Sequence, residues 1–301
     1  MDKAVRVDSL HKSYGGIPAV KGISFEVDQG VFFAFLGPNG AGKSTTMSIV
    51  CSLLPKDSGE IAIFGKDPEE ARPEIGMVFQ DNKLDQRLTV RENLMVRGSM
   101  YGFSRDGLSE RVGDALERSG STEFADRLYS RLSGGQKRRA EIARAIVHGP
   151  RILMLDEPTA GLDPQTRKLI WDNIRGLNRQ GMTVFLTTHY MEEAADADDV
   201  VIIDKGEIVA HGTPSVLKER YSSDYLEVLP KDVGRLQGIL EEEGLEYVVR
   251  SDVLRIPLED TMKAIPIINR IEGCIESFEV RTGTLDDAFV NITGGMRERT
   301  E

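Results

Sequence analysis

Apolar residues follow two patterns along this chain, one that predicts strands and one that predicts helices. Residues 31–36 (VFFAFL) and 152–155 (ILML) are apolar throughout, which is typical of strands buried on both faces of a parallel sheet. Between such runs the spacing becomes helical, as in residues 140–146 (AEIARAI). Strands that alternate with helices predict an α/β fold with a mainly parallel sheet, which binds its ligands at the carboxyl ends of the strands.

The first 222 residues contain most of these elements. Strands are expected at residues 23–27, 31–36, 75–80, 151–158, 182–189 and 199–212, and helices at 43–53, 164–178 and 190–196. The segment up to Tyr14 predicts a short strand and turn, and 59–67 a further hairpin. Residues 88–130 are polar and predominantly helical in pattern. With the helix that follows, they predict an inserted helical subdomain at about 88–145, within a first domain at 1–222.

Residues 223–301 predict a second, smaller α+β domain. Its strands are expected at residues 225–229, 246–250, 254–258 and 275–281, and its helices at 233–243 and 260–271. That order, βαββαβ, is the ferredoxin-like pattern. A last helix at 284–292 is expected to end at a glycine-containing break, 293–295, with a polar tail after it.

Composition narrows the class of protein. The chain has 301 residues, of which 40% are hydrophobic and 29% charged, so it can bury a sizeable core. Its formal net charge of −11 argues against a nucleic-acid partner. The N-terminus lacks the pattern of a signal peptide, and no apolar run approaches the length of a membrane span. Cys51 and Cys274 fit no metal or redox spacing and predict two reduced thiols.

The segment GPNGAGKST predicts a phosphate-binding loop. It fits the pattern G-x-x-x-x-G-K-[ST], with a buried strand before it and a helix after it. Lys43 can reach the β- and γ-phosphates, and the Ser44 hydroxyl is the expected Mg²⁺ ligand. The expected ATP-binding residues of the loop are Gly37, Pro38, Asn39, Gly40, Ala41, Gly42, Lys43, Ser44 and Thr45.

Two adjacent acids end the apolar strand in LMLDEP. A phosphate-binding loop needs an acid at the end of a neighbouring strand to hold the metal, and Asp156 has that place. Two carboxylates beside one phosphate site repel each other, which favours a separate task for each. Glu157 is therefore predicted to activate the attacking water as a general base, against the alternative of a solvated acid at a strand end.

The segment LSGGQ, residues 132–136, predicts a second anion site at the start of a helix. Ser133 is suited to cap the helix, and the free N–H groups of a first helical turn attract an anion. A serine followed by two glycines offers little apolar side chain to bury in a core. The segment therefore raises the question of which phosphate a second site would bind.

GPNGAGKST, LSGGQ and LMLDEP, in this order and spacing, resemble the nucleotide-binding subunit of an ABC transporter. LSGGQ is the diagnostic part, because phosphate-binding loops alone also occur in kinases and GTPases. The resemblance covers residues 1 to about 221. It implies a P-loop NTPase domain with an antiparallel β-subdomain beside the mainly parallel sheet, and it implies ATP and Mg²⁺ as ligands.

In that family two copies pair head to tail, and each ATP lies between the P-loop of one copy and the LSGGQ segment of the other. The resemblance implies that the second site serves the nucleotide of a second copy of this chain. The residues expected to contact the partner's ATP are Ser133, Gly134, Gly135, Gln136 and Asp163. Asp163 is also suited to cap the helix that begins at Pro164.

Three further residues acquire roles from the same resemblance. Tyr14 resembles the aromatic residue that stacks on adenine, although a lone tyrosine after a strand is more often a packing residue. Gln80 resembles the residue that reaches Mg²⁺ and the attacking water, which makes Ser44, Gln80 and Asp156 the expected metal ligands. His189 resembles the switch histidine that contacts the γ-phosphate, so the expected catalytic residues are Glu157, His189 and Gln80.

The segments TTHYMEEA and TLDDAFVNITG resemble the separate ATPase subunits of ABC-2-type exporters, including the daunorubicin-resistance type. The resemblance implies ATP hydrolysis coupled to export of a drug, lipid or polysaccharide. It also implies a separate six-span permease that docks near Gln80 and residues 81–93, at the cytoplasmic face of the membrane. The main alternative is a soluble, non-transport ABC ATPase. The second domain reads as a dimer-stabilising appendage or as a small-molecule sensor.

Overall fold

The computed structural model of the protein describes residues 2–250 and 252–294 and contains three sheets. Its strands up to residue 212 are β1 (Lys3–Tyr14), β2 (Ile17–Asp28), β3 (Phe32–Leu36), β4 (Ser58–Ile63), β5 (Ile75–Val78), β6 (Ile152–Asp156), β7 (Thr183–Thr188), β8 (Asp199–Asp204) and β9 (Glu207–Gly212). The helices of the same stretch are α1 (Lys43–Val50), α2 (Val90–Ser99), α3 (Arg105–Arg118), α4 (Gly134–Ile146), α5 (Pro164–Arg179) and α6 (Met191–Ala194).

The central sheet has six strands in the order β5-β6-β7-β3-β8-β9. The pairs β5–β6, β6–β7, β7–β3 and β3–β8 are all parallel, which confirms the predicted mainly parallel sheet. Every residue of β3 is buried, as its continuous apolar sequence predicts. Because parallel strands end at the same edge, the segments that follow β3, β5, β6 and β7 all start from one edge of the sheet.

A smaller antiparallel sheet, in the order β2-β1-β4, packs against the central sheet. Phe25 of β2 contacts three aromatic side chains of the central sheet, Phe33, Phe35 and Phe185, with ring centroids 5.3–5.9 Å apart. Each buried phenylalanine contributes roughly 1.5–3 kcal/mol by leaving water. This cluster fixes β3, and with it the start of the predicted phosphate-binding loop.

The predicted helical subdomain consists of α2, α3 and α4 with two short 3-10 turns, Thr122–Phe124 and Tyr129–Arg131. Each of the three helices begins at a hydroxyl side chain that accepts a backbone N–H of the first turn. The capping residues are Thr89, Ser104 and Ser133.

Four predicted elements differ clearly from the structure. The strand expected at 199–212 is wrong, since Lys205 and Gly206 adopt φ values of 48° and 85° and separate β8 from β9. The helix expected to reach residue 53 ends at Val50, because Ser52 is left-handed with φ 52° and Leu53 N–H donates to Ser48 O at 2.8 Å. The strands β1 and β2 each have 12 residues and are longer than predicted.

The boundary between two compact units falls between His211 and Gly212. The second unit contains α7 (Pro214–Tyr221), β10 (Asp224–Pro230), α8 (Val233–Glu242), β11 (Val248–Arg250), β12 (Val253–Leu258), α9 (Ala264–Ile271), β13 (Ile275–Arg281) and α10 (Leu285–Gly294). Its four strands form an antiparallel sheet in the order β11-β12-β10-β13, and the predicted βαββαβ order is confirmed. The predicted polar tail, which follows residue 295, lies outside the described residues.

The core of this second unit follows the period-two pattern of its strands. Leu226 and Val228 of β10 and Leu254 and Ile256 of β12 are buried against α8. Among the residues that the structure describes, no helix combines the length and apolar character that crossing a membrane requires.

Candidate functional site

The predicted phosphate-binding loop, residues 37–45, connects β3 to α1 as expected. Gly42 precedes α1 with φ 107°, and a Cβ at this position would lie 2.7 Å from the carbonyl oxygen of Ala19. Glycine is therefore required here for both backbone angle and space. No side chain of the described residues caps α1, so the first N–H groups of the helix are available to an anion.

Lys43 is buried at the first position of α1, with 4% of its side chain exposed. Its ammonium group donates to Gly37 O at 2.8 Å and to Pro38 O at 3.1 Å. Burial lowers the pKa of Lys43, while the nearby Glu157 carboxylate opposes that shift. The loop thus holds a cation against its own backbone, next to the N-terminus of α1.

Ser44 and Asp156 meet between α1 and the end of β6. The Ser44 hydroxyl donates to Asp156 Oδ1 at 3.0 Å, and the Thr187 hydroxyl donates to the same oxygen at 2.5 Å. A hydroxyl beside a carboxylate is the kind of oxygen pair that suits Mg²⁺. These two predicted metal ligands therefore fit the ion.

Glu157 has a strained backbone, with φ 45° in a residue other than glycine. Such a conformation costs about 1–3 kcal/mol and is kept where the surroundings hold it. Here the Glu157 N–H donates to Thr187 O at 3.1 Å, and only 9% of the residue is exposed. Its Oε1 lies 3.4 Å from Lys43 Nζ and 3.3 Å from His189 Nδ1. The structure therefore brings three predicted site residues together.

His189 follows β7 at the same edge of the sheet. Its Nδ1 is close to Glu157 but is not aligned as a hydrogen bond, and this buried atom has no other partner among the described residues. Because Nδ1 faces Glu157, the other ring nitrogen is left for the predicted contact with a γ-phosphate.

A buried acid that sequence reasoning missed supports this edge. Glu193 of α6 accepts hydrogen bonds from the hydroxyls of Thr188, at 2.5 Å, and of Thr159. Burial raises the pKa of Glu193. Glu193 connects the residue before His189 to the loop after Glu157. The segments that carry Glu157 and His189 are therefore joined by the same carboxylate.

A cavity of about 330 Å³ opens at the phosphate-binding loop. It is lined by Ala19, Asn39, Gly40, Gly42, Lys43, Ser44, Thr45, Gln80 and Glu157. Gln80 thus lines the same cavity as Ser44, which is compatible with its predicted metal contact. Tyr14 lies at the end of β1, in the hairpin whose return strand carries Ala19, and is 48% exposed. It is not among the lining residues described, so its predicted contact with adenine stays a prediction.

The second predicted anion site lies at the start of α4. Ser133 Oγ accepts the Gln136 N–H at 3.3 Å, and Gln136 Oε1 accepts the Ser133 N–H at 3.1 Å, which is a capping box. Ser133 and Gly134 are exposed. A Cβ on Gly135 would lie 2.3 Å from Thr166 Cγ2, so this glycine also allows α4 to approach α5.

Asp163 caps α5 beside that contact. Its Oδ1 accepts the Thr166 N–H at 3.0 Å, and hydrogen bonds from Thr166 lower the pKa of the Asp163 carboxyl. The structure therefore groups the predicted trans-acting residues on the adjacent starts of two helices. They are absent from the lining described for the cavity at the phosphate-binding loop.

Comparison with known proteins gives consistent relatives for the chain. A family model described as ABC transporter matches residues 20–160. The linearmycin resistance ATP-binding protein LnrL of Bacillus subtilis (strain 168) is 44% identical over 225 residues, 73% of this chain and 72% of that protein. The daunorubicin/doxorubicin resistance ATP-binding protein DrrA of Streptomyces peucetius is 36% identical over 306 residues, 97% of this chain and 93% of that protein.

A solved structure described as the dimeric structure of MJ0796, a bacterial ABC transporter cassette, superposes with a TM-score of 0.63. It is 30% identical and covers 69% of this chain and 98% of that cassette. The similarity thus spans the P-loop fold as a whole, while the DrrA match extends over the second unit as well.

Proposed function

Because the chain belongs to the family of ABC transporter ATP-binding proteins, we propose that it hydrolyses ATP to ADP and phosphate to drive an exporter. The observation that carries this proposal is the cluster of Lys43, Glu157 and His189 at one edge of the sheet, next to the Ser44–Asp156 pair. Binding of ATP without hydrolysis would need only Lys43 and the Ser44–Asp156 pair. A strained, nearly buried carboxylate beside a histidine supports hydrolysis.

Each group of the cluster has a role in that reaction. The N-terminus of α1 and Lys43 bind the phosphates, and the Ser44 hydroxyl and Asp156 hold Mg²⁺, which when bound neutralises phosphate charge. The Glu157 carboxylate takes a proton from the attacking water, and His189 contacts the γ-phosphate and orients Glu157. Gln80 lines the same cavity, which supports a contact of its side chain with the metal and the water.

We further propose that two copies act head to tail. Ser133 and Gly134 are exposed, and the Ser133 hydroxyl together with the N–H groups of Gly134 and Gly135 would bind the γ-phosphate held by the other copy. The dimer reported for the MJ0796 cassette supports this arrangement. ATP would then join the two copies, and hydrolysis would remove the phosphate that both of them hold.

The membrane part is assigned to a separate permease that holds the protein at the cytoplasmic face of the membrane. A groove of about 280 Å³ near Gln80 supports a docking site between the central sheet and the helical subdomain. Its lining combines apolar side chains such as Leu53, Met77 and Phe79 with Arg97 and Tyr101. The relatives named for drug resistance support a drug as the cargo, among the drug, lipid and polysaccharide cargoes that the resemblance implies. We assign residues 1–222 to the cassette and 223–301 to an accessory domain, which assigns α7 to the cassette although the boundary between the two compact units precedes this helix.

Sedimentation equilibrium of Glu157→Gln with ATP and Mg²⁺ tests the proposal. The variant should lose turnover by at least about 100-fold and form a dimer that disperses when ATP is removed, since bound triphosphate is no longer cleaved. Glu192→Gln is the matched control, because Glu192 lies in α6 with 83% of its side chain exposed. Full turnover in Glu157→Gln, or a monomer at every concentration, would contradict the proposal.

A further inference from the structure

Three charged side chains of α4 hold the backbone of one loop segment, residues 77–84, which contains Gln80. Arg138 donates to Phe79 O at 2.6 Å and to Gln80 O at 2.9 Å. Arg144 donates to Met77 O at 2.6 Å. Both guanidinium groups thus point from the helix to carbonyl groups that the end of β5 and the following turn leave unpaired in the sheet.

Glu141 holds the other end of the same segment. Its Oε1 accepts the Lys83 N–H at 2.5 Å and the Leu84 N–H at 3.0 Å. The Tyr129 hydroxyl donates to the same oxygen at 3.2 Å, and Arg144 Nε donates to Oε2 at 2.9 Å. One carboxylate therefore has four donors in three parts of the chain.

Because this arrangement is buried, its hydrogen bonds require a charged carboxylate at position 141. The Glu141 side chain is 0% exposed and that of Arg144 is 10% exposed, so neither can exchange its partners for water. A buried carboxylate is costly unless paired and hydrogen-bonded, and here both of its oxygens accept hydrogen bonds. Loss of the charge would leave buried donors of segment 77–84 and of Arg144 without a full set of acceptors.

Helix α4 begins at Ser133, so the same helix carries the second anion site at its start and these side chains along its length. We propose that Glu141 is a positioning residue that locks segment 77–84 to α4, so that Gln80 at one ATP site and Ser133 at the other move as one body. The proposal rests on the proposed two-copy function, in which the two sites of one chain serve different nucleotides.

This link predicts that a change at Glu141 alters turnover and cooperativity but not ATP affinity. A general loss of stability would not separate these effects. ATP affinity at the phosphate-binding loop should depend little on Glu141, because none of its described partners lies in residues 37–45. Turnover and its cooperativity in ATP should depend on it, because both require Gln80 and Ser133 to be in place together.

The test compares the full-length wild-type protein with Glu141→Gln, which keeps the side chain's size but loses its charge. Amide hydrogen exchange of residues 79–85 without nucleotide should become about tenfold faster, as expected for loss of a charge-assisted hydrogen bond. The turnover number should fall about three- to tenfold and the Hill coefficient should approach one, while the Kd for ATP stays within about twofold.

Arg139→Gln is the matched control on the same helix. Arg139 donates to Gly120 O and Glu123 and has no described bond to segment 77–84. It should leave exchange, turnover and cooperativity at wild-type values. If Glu141→Gln fails to fold, Tyr129→Phe removes a single donor from the same carboxylate and should shift all three readouts in the same direction by a smaller factor.

Unchanged exchange in Glu141→Gln would overturn the lock. Faster exchange with wild-type turnover and cooperativity would overturn the connection to Ser133, as would equal losses in Arg139→Gln. Exchange is measured without nucleotide and does not depend on a dimer. A wild-type protein that lacks ATP turnover would therefore refute the proposed function, and exchange alone would still decide whether Glu141 locks the segment.

Discussion

The helices α1 and α4 both begin at a predicted phosphate site, and they begin in different ways. Helix α1 has Gly42 at its N-cap and no side-chain cap among the described residues, and the adjacent Lys43 is buried. Helix α4 has Ser133 and Gln136 in a capping box and an exposed first turn. The first site thus has its cation, its proposed metal ligands and its proposed general base within one chain, whereas the second has its own internal cap and none of these groups.

The difference would allow one chain to have two phosphate sites without competition between them. An uncapped N-terminus beside a buried lysine binds phosphate strongly. A capped and exposed N-terminus is stable without a ligand, so it does not require phosphate until a second copy presents one. The serine hydroxyl accepts the Gln136 N–H and still has its proton to donate.

The largest expected effect on ATP turnover comes from a substitution at the first site. Lys43→Ala should lower ATP turnover by at least about 100-fold, because the charge that binds the β- and γ-phosphates is removed. The measurement is phosphate release at saturating ATP. Lys21→Ala provides the control, since Lys21 makes an exposed ion pair with Glu207. Substantial turnover in Lys43→Ala would contradict the comparison of the two sites, because the first site would then not depend on the charge of Lys43.

At the second site, Ser133→Asp separates capping from phosphate binding. Aspartate is as good an N-cap as serine, so the melting temperature should stay close to wild type. The added carboxylate should repel the partner's γ-phosphate and lower turnover about 10- to 100-fold. Ser104→Asp makes the same substitution at the N-cap of α3 and should leave turnover intact. Equal turnover in Ser133→Asp and Ser104→Asp would contradict a role for Ser133 in binding the partner's γ-phosphate.

A smaller effect on stability is expected at Gly135. An added methyl group would meet Thr166 Cγ2 at 2.3 Å, so Gly135→Ala should destabilise the first unit by about 1–3 kcal/mol. Thr166→Ser removes that Cγ2 atom and should restore most of the loss in the double variant, as urea unfolding would show. If the double variant is no more stable than Gly135→Ala, the approach of α4 to α5 is not what requires glycine here.

Sequence patterns predicted the central sheet and the βαββαβ unit because buried strands have a continuous or period-two apolar signal. They predicted the position of the phosphate-binding loop because its glycines, lysine and serine are contiguous. The turn at Lys205 and Gly206 was missed because apolar residues lie on both sides of it and a lysine in the left-handed region gives little signal.

The supports of the site were harder to predict, since their partners are distant along the chain. Glu193 and Thr159 are separated by 34 residues, and Glu141 and Lys83 by 58. One signal was available in α4, where Arg138 lies four residues before Ile142 and so on the apolar face. A charged residue on a buried face indicates a buried partner, but it does not identify that partner.

A mixing experiment tests most directly whether the two sites of one chain belong to different nucleotides. Lys43→Ala and Ser133→Asp chains, each expected to have at least about tenfold lower turnover alone, are combined and assayed for ATP turnover. In a head-to-tail pair of one chain of each kind, one site has an intact phosphate-binding loop and an intact Ser133, so the mixture should regain up to about a quarter of wild-type turnover. Turnover no higher than the sum of the separate variants would contradict the account.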